Sequence, residues 1–184
     1  VSLYMGGLVP RRTGLWRALY DDIEINSDDR TIRPNPAAIA ALKIWGADTL
    51  ISSYTIENNE WKIIANIKQN NLIFNIYQNN SVRQPLYFAS NLIRVETIED
   101  FYRKLPDTEN NSVLIEEKPD LKIKLPGKSS IIQVSKNYLQ EKYLAETDSD
   151  ALLVFNRSWY PGWRFYLDGQ LIPMTIVNLN QPAI

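Results

Sequence analysis

Residues 158–174 read SWYPGWRFYLDGQLIPM. Asp168-Gly169 is a strong hairpin signal, because both central residues of a type I′ turn need positive φ. A two-residue loop there sets Leu167 opposite Gln170, Phe165 opposite Ile172 and Trp163 opposite Met174. Strand side chains alternate, so these residues share one apolar face. Arg164, Tyr166, Leu171 and Pro173 share the other, which is more mixed. Each cross-strand pair adds about 0.2–1 kcal/mol over an alanine pair. Two readings of the aromatics stand side by side. In one, Trp163 and Phe165 are core and Asp168 is a turn residue. In the other, Trp159, Tyr160 and Tyr166 present rings to a sugar, with Tyr160 the most exposed because it sits beside the Pro161-Gly162 kink. Trp and Tyr are at home in half-buried sheet, so their presence alone does not choose.

Upstream, ALLVFNRSW (151–159) reads as a buried strand, and SIIQVSKNYLQEKYLAE (130–146) as two strands joined near Lys136-Asn137. SVLIEE and DLKIKL are short strands around Lys118-Pro119-Asp120. In TIEDFYRKL, Ile98, Phe101, Tyr102 and Leu105 form one helical stripe. Thr97 can cap that helix, with Glu99 and Asp100 facing the positive end of its dipole. PLYFASNLIRVE is one candidate strand, and WKIIANIK and NLIFNIYQ are two more, separated by Gln-Asn-Asn turn residues. NPAAIAALKIWG is a helix capped by Asn35, opened by Pro36 and ended by Gly46, with Ala38, Ala41, Leu42 and Trp45 at helical spacing. ADTLISSY follows as a strand. Thr13 can cap a short helix carrying Leu15, Trp16, Leu19 and Tyr20 on one side, and DDIEINSDD reads as a solvated loop. The fold expected is α+β, mainly an antiparallel β-sandwich in the second half with a few short helices beside it. Residues 1–58 form a leading segment with helices and a strand, and 59–184 a β-rich sandwich domain with one helix near 97–105, the two expected to make one compact unit truncated at both ends.

Composition narrows the chemistry. The chain has 184 residues, 45% hydrophobic and 22% charged, enough apolar matter for a core. Twenty basic residues nearly cancel twenty-one acidic ones, which disfavours nucleic acid as a partner. Cysteine and histidine are both absent, so Ser–His, Cys–His and His–zinc sites are excluded within the chain. Acidic neighbours such as Glu116-Glu117 or Asp21-Asp22 point to opposite faces of a strand and make poor catalytic pairs. Asn26 with Asp28-Asp29 lacks calcium-loop spacing, so no metal and no cofactor are expected. Arg11-Arg12 reads as solvated loop rather than a lipid contact. The sequons at Asn79, Asn110 and Asn156 are short enough to arise by chance.

LLVFNRSWYPGWRFYLDGQLIPM (152–174) resembles the C-terminal signature of the YfhO-like bacterial membrane proteins. The matching residues are Tyr160, Pro161, Gly162, Trp163, Asp168, Gly169 and Pro173. AIAALKIWGADTLIS resembles the family's helix-then-strand segment, and residues 73–105 its next strand and helix. There, Arg83-Gln84-Pro85-Leu86 departs from the family's leucine-proline-arginine order. The resemblance implies a polytopic GT-C-type glycosyltransferase that uses lipid-linked sugars, with its catalytic acid in a part not present here. This chain is then expected to be a non-catalytic soluble domain on the extracytoplasmic side of the membrane. Its partners would be the transmembrane portion of its parent and a glycan or lipid-linked sugar. Val1 in place of Met fits a piece of a longer protein, and since the family continues beyond an end such as Asn178–Ile184 with a Gly-turn and a final strand, the sheet is expected to lack a partner strand and leave an exposed edge. The alternative is a free-standing carbohydrate-binding or adhesion module.

Overall fold

The computed structural model describes residues 24–26, 28–81, 83–108, 111–116, 126–137 and 139–184. The expectations on Arg11-Arg12, the Thr13 helix, Asp21-Asp22, Asn110, Glu117 and the strand DLKIKL lie outside these residues. Most described elements are strands in antiparallel sheets, with two short helices and no closed barrel: a β-rich α+β fold. The chain divides into two compact units, 1–82 and 83–184.

The first unit runs β1 (Glu24–Asn26), β2 (Thr31–Arg33), α1 (Pro36–Ile44), β3 (Thr49–Ser52), β4 (Thr55–Ile56), β5 (Lys62–Gln69) and β6 (Leu72–Gln78). β1 replaces part of the expected solvated loop, because Glu24–Asn26 finds a backbone partner in β2. The α1 helix begins as its sequence dictates. The Asn35 side chain accepts the Ala38 N–H at 2.6 Å, satisfying one orphan donor of the first turn. Gly46 takes φ 66° just past the end. The deepest face is Ala38, Ile39, Ala41 and Ile44, while Leu42 and Trp45 are half-buried, so the stripe is turned slightly from its expected position. β5 and β6 join through Asn70 and Asn71, both left-handed at φ 47° and 62°, the conformation a two-residue hairpin loop requires. β6 also pairs with β3, giving the order β3-β6-β5. That pairing crosses residue 58 and ties 59–78 to the leading segment, so the division falls at 82/83.

The second unit runs β7 (Leu86–Phe88), β8 (Asn91–Arg94), α2 (Ile98–Lys104), β9 (Ser112–Ile115), β10 (Ser129–Lys136), β11 (Glu141–Thr147), β12 (Leu153–Phe155), β13 (Phe165–Leu167), β14 (Gln170–Ile172), β15 (Thr175–Val177) and β16 (Gln181–Ala183). PLYFASNLIRVE is not one strand. β7 and β8 belong to different sheets, with Ala89-Ser90 between them. β8 and β9 pair in parallel, in register from Asn91↔Ser112 to Arg94↔Ile115. Parallel neighbours need a crossover, and α2 supplies it. Thr97 caps α2 by accepting the Asp100 N–H at 3.1 Å, and Phe101 and Leu105 are buried.

The sheet β15-β16-β12-β7 sits at the centre of this unit. One of its faces contributes Tyr87, Ala89, Leu152, Val154, Val177 and Ala183, packed with Val113 and Ile115 of β9. The other contributes Leu86, Phe88 and Leu153, packed against Ile131 and Tyr143 of the β10–β11 hairpin. Strands buried on both faces read as unbroken apolar runs, which is what LYFA and LLVF are. β16 lies between β15 and β12. The turn that makes it, Asn178-Leu179-Asn180, has no glycine and holds Asn178 and Leu179 at φ 49° and 68°.

Candidate functional site

The β13–β14 hairpin forms at the expected register, Phe165↔Ile172, Tyr166↔Leu171 and Leu167↔Gln170, with Asp168 and Gly169 at φ 49° and 82°. The expected Trp163↔Met174 pair does not form. The ladder ends at Phe165↔Ile172, and the Trp163 N–H is turned to a local partner instead of to the facing strand. The chain then leaves the hairpin to build β15. Before the hairpin, Trp163 N–H donates to the Tyr160 carbonyl at 2.9 Å, closing a turn over Pro161-Gly162. The Arg164 guanidinium donates to the carbonyls of Pro161 and Trp163, each at 3.0 Å, and holds that turn.

The inner side of this segment is clamped by a closed circuit of six side chains. Trp163 stacks on Phe165 with centroids 6.3 Å apart. Phe165 meets Phe155 at 4.9 Å, and Phe155 meets the edge of Tyr143 at 6.2 Å. Tyr143 donates its hydroxyl to Glu141. Glu141 takes a two-armed grip from Arg157 at 2.8 and 2.7 Å, and the Arg157 guanidinium lies 5.2 Å from the Trp163 ring centre. Hydrogen bonds from Arg157, with smaller help from Tyr143 and Lys136, hold the Glu141 carboxyl down at about 2. Burial and the carboxylate beside it push the Tyr143 hydroxyl up. Both Glu141 oxygens are engaged, so the group is an anchor rather than a proton carrier. A desolvated cation over an indole adds about 0.5–2 kcal/mol to the clamp.

The predicted ligand residues stand as follows. Phe165 is buried and Trp163 is half-buried against Phe165 and Arg157. Tyr160 and Tyr166 are 68% and 62% exposed, and Leu167 and Leu171 are similarly open. Tyr166 pairs with Leu171 on the face opposite Phe165. The Tyr160 ring folds back over Gly162, where an added Cβ would sit 3.5 Å from it. Trp159 is half-buried, and its N–H donates to the Asn180 carbonyl at 2.7 Å. The ring contacts leave Trp159, Tyr160 and Tyr166 unjoined to one another.

Two other constellations were not visible in the sequence. Asn178, fully buried, accepts the Leu114 N–H at 2.9 Å and donates to the Tyr87 hydroxyl at 3.2 Å and to Gln181 at 2.7 Å. Gln181 donates onward to Asn156 at 2.6 Å, and Asn156 to the Arg83 carbonyl at 3.2 Å. Arg83 donates to Tyr87 at 3.0 Å and lies over its ring. Burial pushes the Tyr87 hydroxyl up despite that arginine. The second constellation is on α2, where Lys104 and Arg103 bind Asp100 and hold it at about 2. Asn156 is engaged in the first network, and Asn79 is buried with its amide on Glu60. Neither presents a free sequon side chain. Among the described residues, no group of three acidic side chains is placed to hold a metal, and no helix is long and apolar enough to cross a membrane. Comparison with protein-family models, curated proteins and solved structures finds no match to this chain.

Proposed function

We propose that this chain is a non-catalytic domain from the extracytoplasmic side of a polytopic, glycosyltransferase-like membrane protein, where it positions a glycan acceptor or braces the membrane part. The observation that carries the reading is the asymmetry of residues 158–174. The inner side is locked by the Glu141–Arg157–Trp163 circuit, while Tyr160 and Tyr166 stand out of it, more than three-fifths exposed. Aromatic rings held on a rigid turn lose little conformational freedom when a sugar face settles on them, which favours binding. The resemblance of the Tyr-Pro-Gly-Trp…Asp-Gly segment to the YfhO-like proteins supports the membrane setting.

The test is a titration of envelope glycans followed by tryptophan fluorescence and calorimetry, with Tyr160→Ala, Tyr166→Ala and Trp159→Ala beside the parent chain. Saturable binding that the tyrosine variants lose supports acceptor positioning. No response to any glycan assigns the domain to bracing. A free-standing carbohydrate-binding module rests on the same rings. It prevails if the native gene product binds glycan and carries no apolar spans.

A further inference from the structure

The two-stranded sheet β10-β11 leaves the outer edge of each strand without a strand neighbour among the described residues. A bare strand edge is a template for another strand, and proteins blunt such edges with bulges and lysines. β5, an open edge of the first unit, has both: Ile64 is bulged out of its ladder, and Lys62 and Lys68 stand near its two ends. β10 is bulged at Val134 and ends on Lys136. β11 runs through Glu141–Thr147 with no bulge and no proline, and its one lysine, Lys142, is matched by Glu146 four residues on.

The hydrogen-bond pattern limits what can pair there. The Asp148 N–H donates to the Lys128 carbonyl at 3.2 Å, one step beyond the Ser129↔Thr147 pair. Antiparallel bonds alternate along a ladder, so Glu146 and Leu144 also turn their backbone groups to β10, while Tyr143, Ala145 and Thr147 turn theirs outward. A second copy related by a two-fold axis must match outward residues with outward residues. An axis at Tyr143 sets Lys142 opposite Leu144, and an axis at Ala145 sets Glu146 opposite Leu144. An axis at Leu144 sets Lys142 opposite Glu146 twice, Tyr143 opposite Ala145, and Leu144 opposite its own copy. Opposite charges placed directly across a ladder stabilise it, so the strand is complementary in charge to itself in this one of the three registers. Leu144 also pairs with Ile132 of β10, and the two are 50% and 56% exposed. Centred on Leu144, the row Ile132–Leu144–Leu144–Ile132 continues across four strands and covers apolar surface that each copy alone leaves open.

We propose that β11 is a self-association edge: it pairs antiparallel with β11 of a second copy about a two-fold axis at Leu144, making the four-stranded sheet β10-β11-β11-β10. The chain has no cysteine, so any disulfide must join introduced residues. Leu144→Cys faces its own copy at a non-hydrogen-bonded position, with Cα atoms about 4.5 Å apart, within disulfide reach. Ile132→Cys lies on the same face but three strand spacings from its copy, ~14 Å, out of reach. Under mild oxidation of the full chain, Leu144→Cys is expected to form the interchain disulfide at least ~10-fold faster than Ile132→Cys. Equal rates, or no dimer from Leu144→Cys, overturn the proposal. Sedimentation equilibrium without introduced cysteines gives an independent reading. Lys142→Glu sets like charges opposite each other twice and is expected to weaken the dimer ~10-fold. Adding Glu146→Lys to it restores opposite charges and is expected to recover the parent affinity, which a loss of folding would not do. A parent chain that stays monomeric at every concentration overturns the proposal. A dimer that ignores both substitutions overturns it as well and assigns association to another surface.

Discussion

The sheet β15-β16-β12-β7 and the sheet β3-β6-β5 are made of equally apolar sequence and meet opposite fates. In the first, LYFA and LLVF are covered on both sides, and Val154 at its centre has no exposed surface. In the second, KIIANIKQ and LIFNIYQ pair through a well-formed hairpin, yet every residue of β5 is exposed and only Tyr77 of β6 is buried. Backbone pairing and side-chain burial are thus separate events. The hairpin is dictated locally, by Asn70-Asn71 and by β-branched residues that suit a pleated strand. Burial depends on whether another element arrives. An apolar strand is a demand for a partner and does not say which one.

The largest expected effect that tests this contrast comes from placing one charge in each sheet. Val154→Asp puts a carboxylate at a position with no exposed surface among apolar side chains, a cost of several kcal/mol that removes cooperative unfolding of the second unit. Ile67→Asp stays within about 1 kcal/mol of the parent in urea titration, as surface substitutions do. If Ile67→Asp proves equally damaging, the two faces are covered alike and the contrast fails.

The next test compares the two left-handed asparagine turns. Asn178→Ala loses three side-chain hydrogen bonds, strands the Leu114 N–H, and forces alanine into φ 49°. We expect a loss of about 2–4 kcal/mol. Asn70→Ala in the open hairpin keeps only the backbone penalty, about 1 kcal/mol. Equal losses in denaturant titration would mean that the buried network adds nothing beyond turn geometry.

A smaller effect should appear with pH. The Glu141 carboxyl is held at about 2, against 4.5 without its partners. Its folded-state value is depressed, so its contribution is fully present above 4.5 and disappears as pH falls towards 2. Asp100 is depressed to about 2 as well and adds to the same window. The difference between parent and Glu141→Gln therefore isolates the clamp. In acid titrations followed by near-UV circular dichroism, the parent is expected to lose stability more steeply than Glu141→Gln between pH 4.5 and 2. Parallel curves would remove Glu141 from the account. The smallest effect is expected at Tyr166→Ala. Its melting temperature should shift by no more than that of a typical surface substitution, about 0.5 kcal/mol or less, even where glycan binding is lost.

Some of the site was legible and some was not, for reasons that differ residue by residue. Asp168-Gly169 fixed the hairpin register, and the Pro161-Gly162 turn left Tyr160 exposed. Both effects act within a few residues. The pairing of Trp163 with Met174 was not legible correctly, because the Trp163 N–H closes the turn on the Tyr160 carbonyl instead. The Glu141–Arg157 grip spans 16 residues and the Asn178–Tyr87 bond 91. No local pattern announces a partner at that separation. The crossover β8–α2–β9 hid behind a well-read helix, because a stripe and a cap identify a helix without telling whether the strands beside it run parallel.

The sequence by itself determined local features: the Asn35 and Thr97 caps, the Asn70-Asn71 and Asp168-Gly169 turns, and the β-rich balance over a few short helices. These follow from backbone dihedral preferences and hydrogen bonds that close within a turn or two of chain. Tertiary structure alone decided that β16 would sit between β15 and β12. It also decided that β7 and β12 would be buried on both faces, and that Arg157 would bind Glu141 beneath Trp163. Those outcomes depend on which distant surfaces exclude water from one another, and the hydrophobic driving force is non-directional, so the same apolar strand can serve either as core or as an open face.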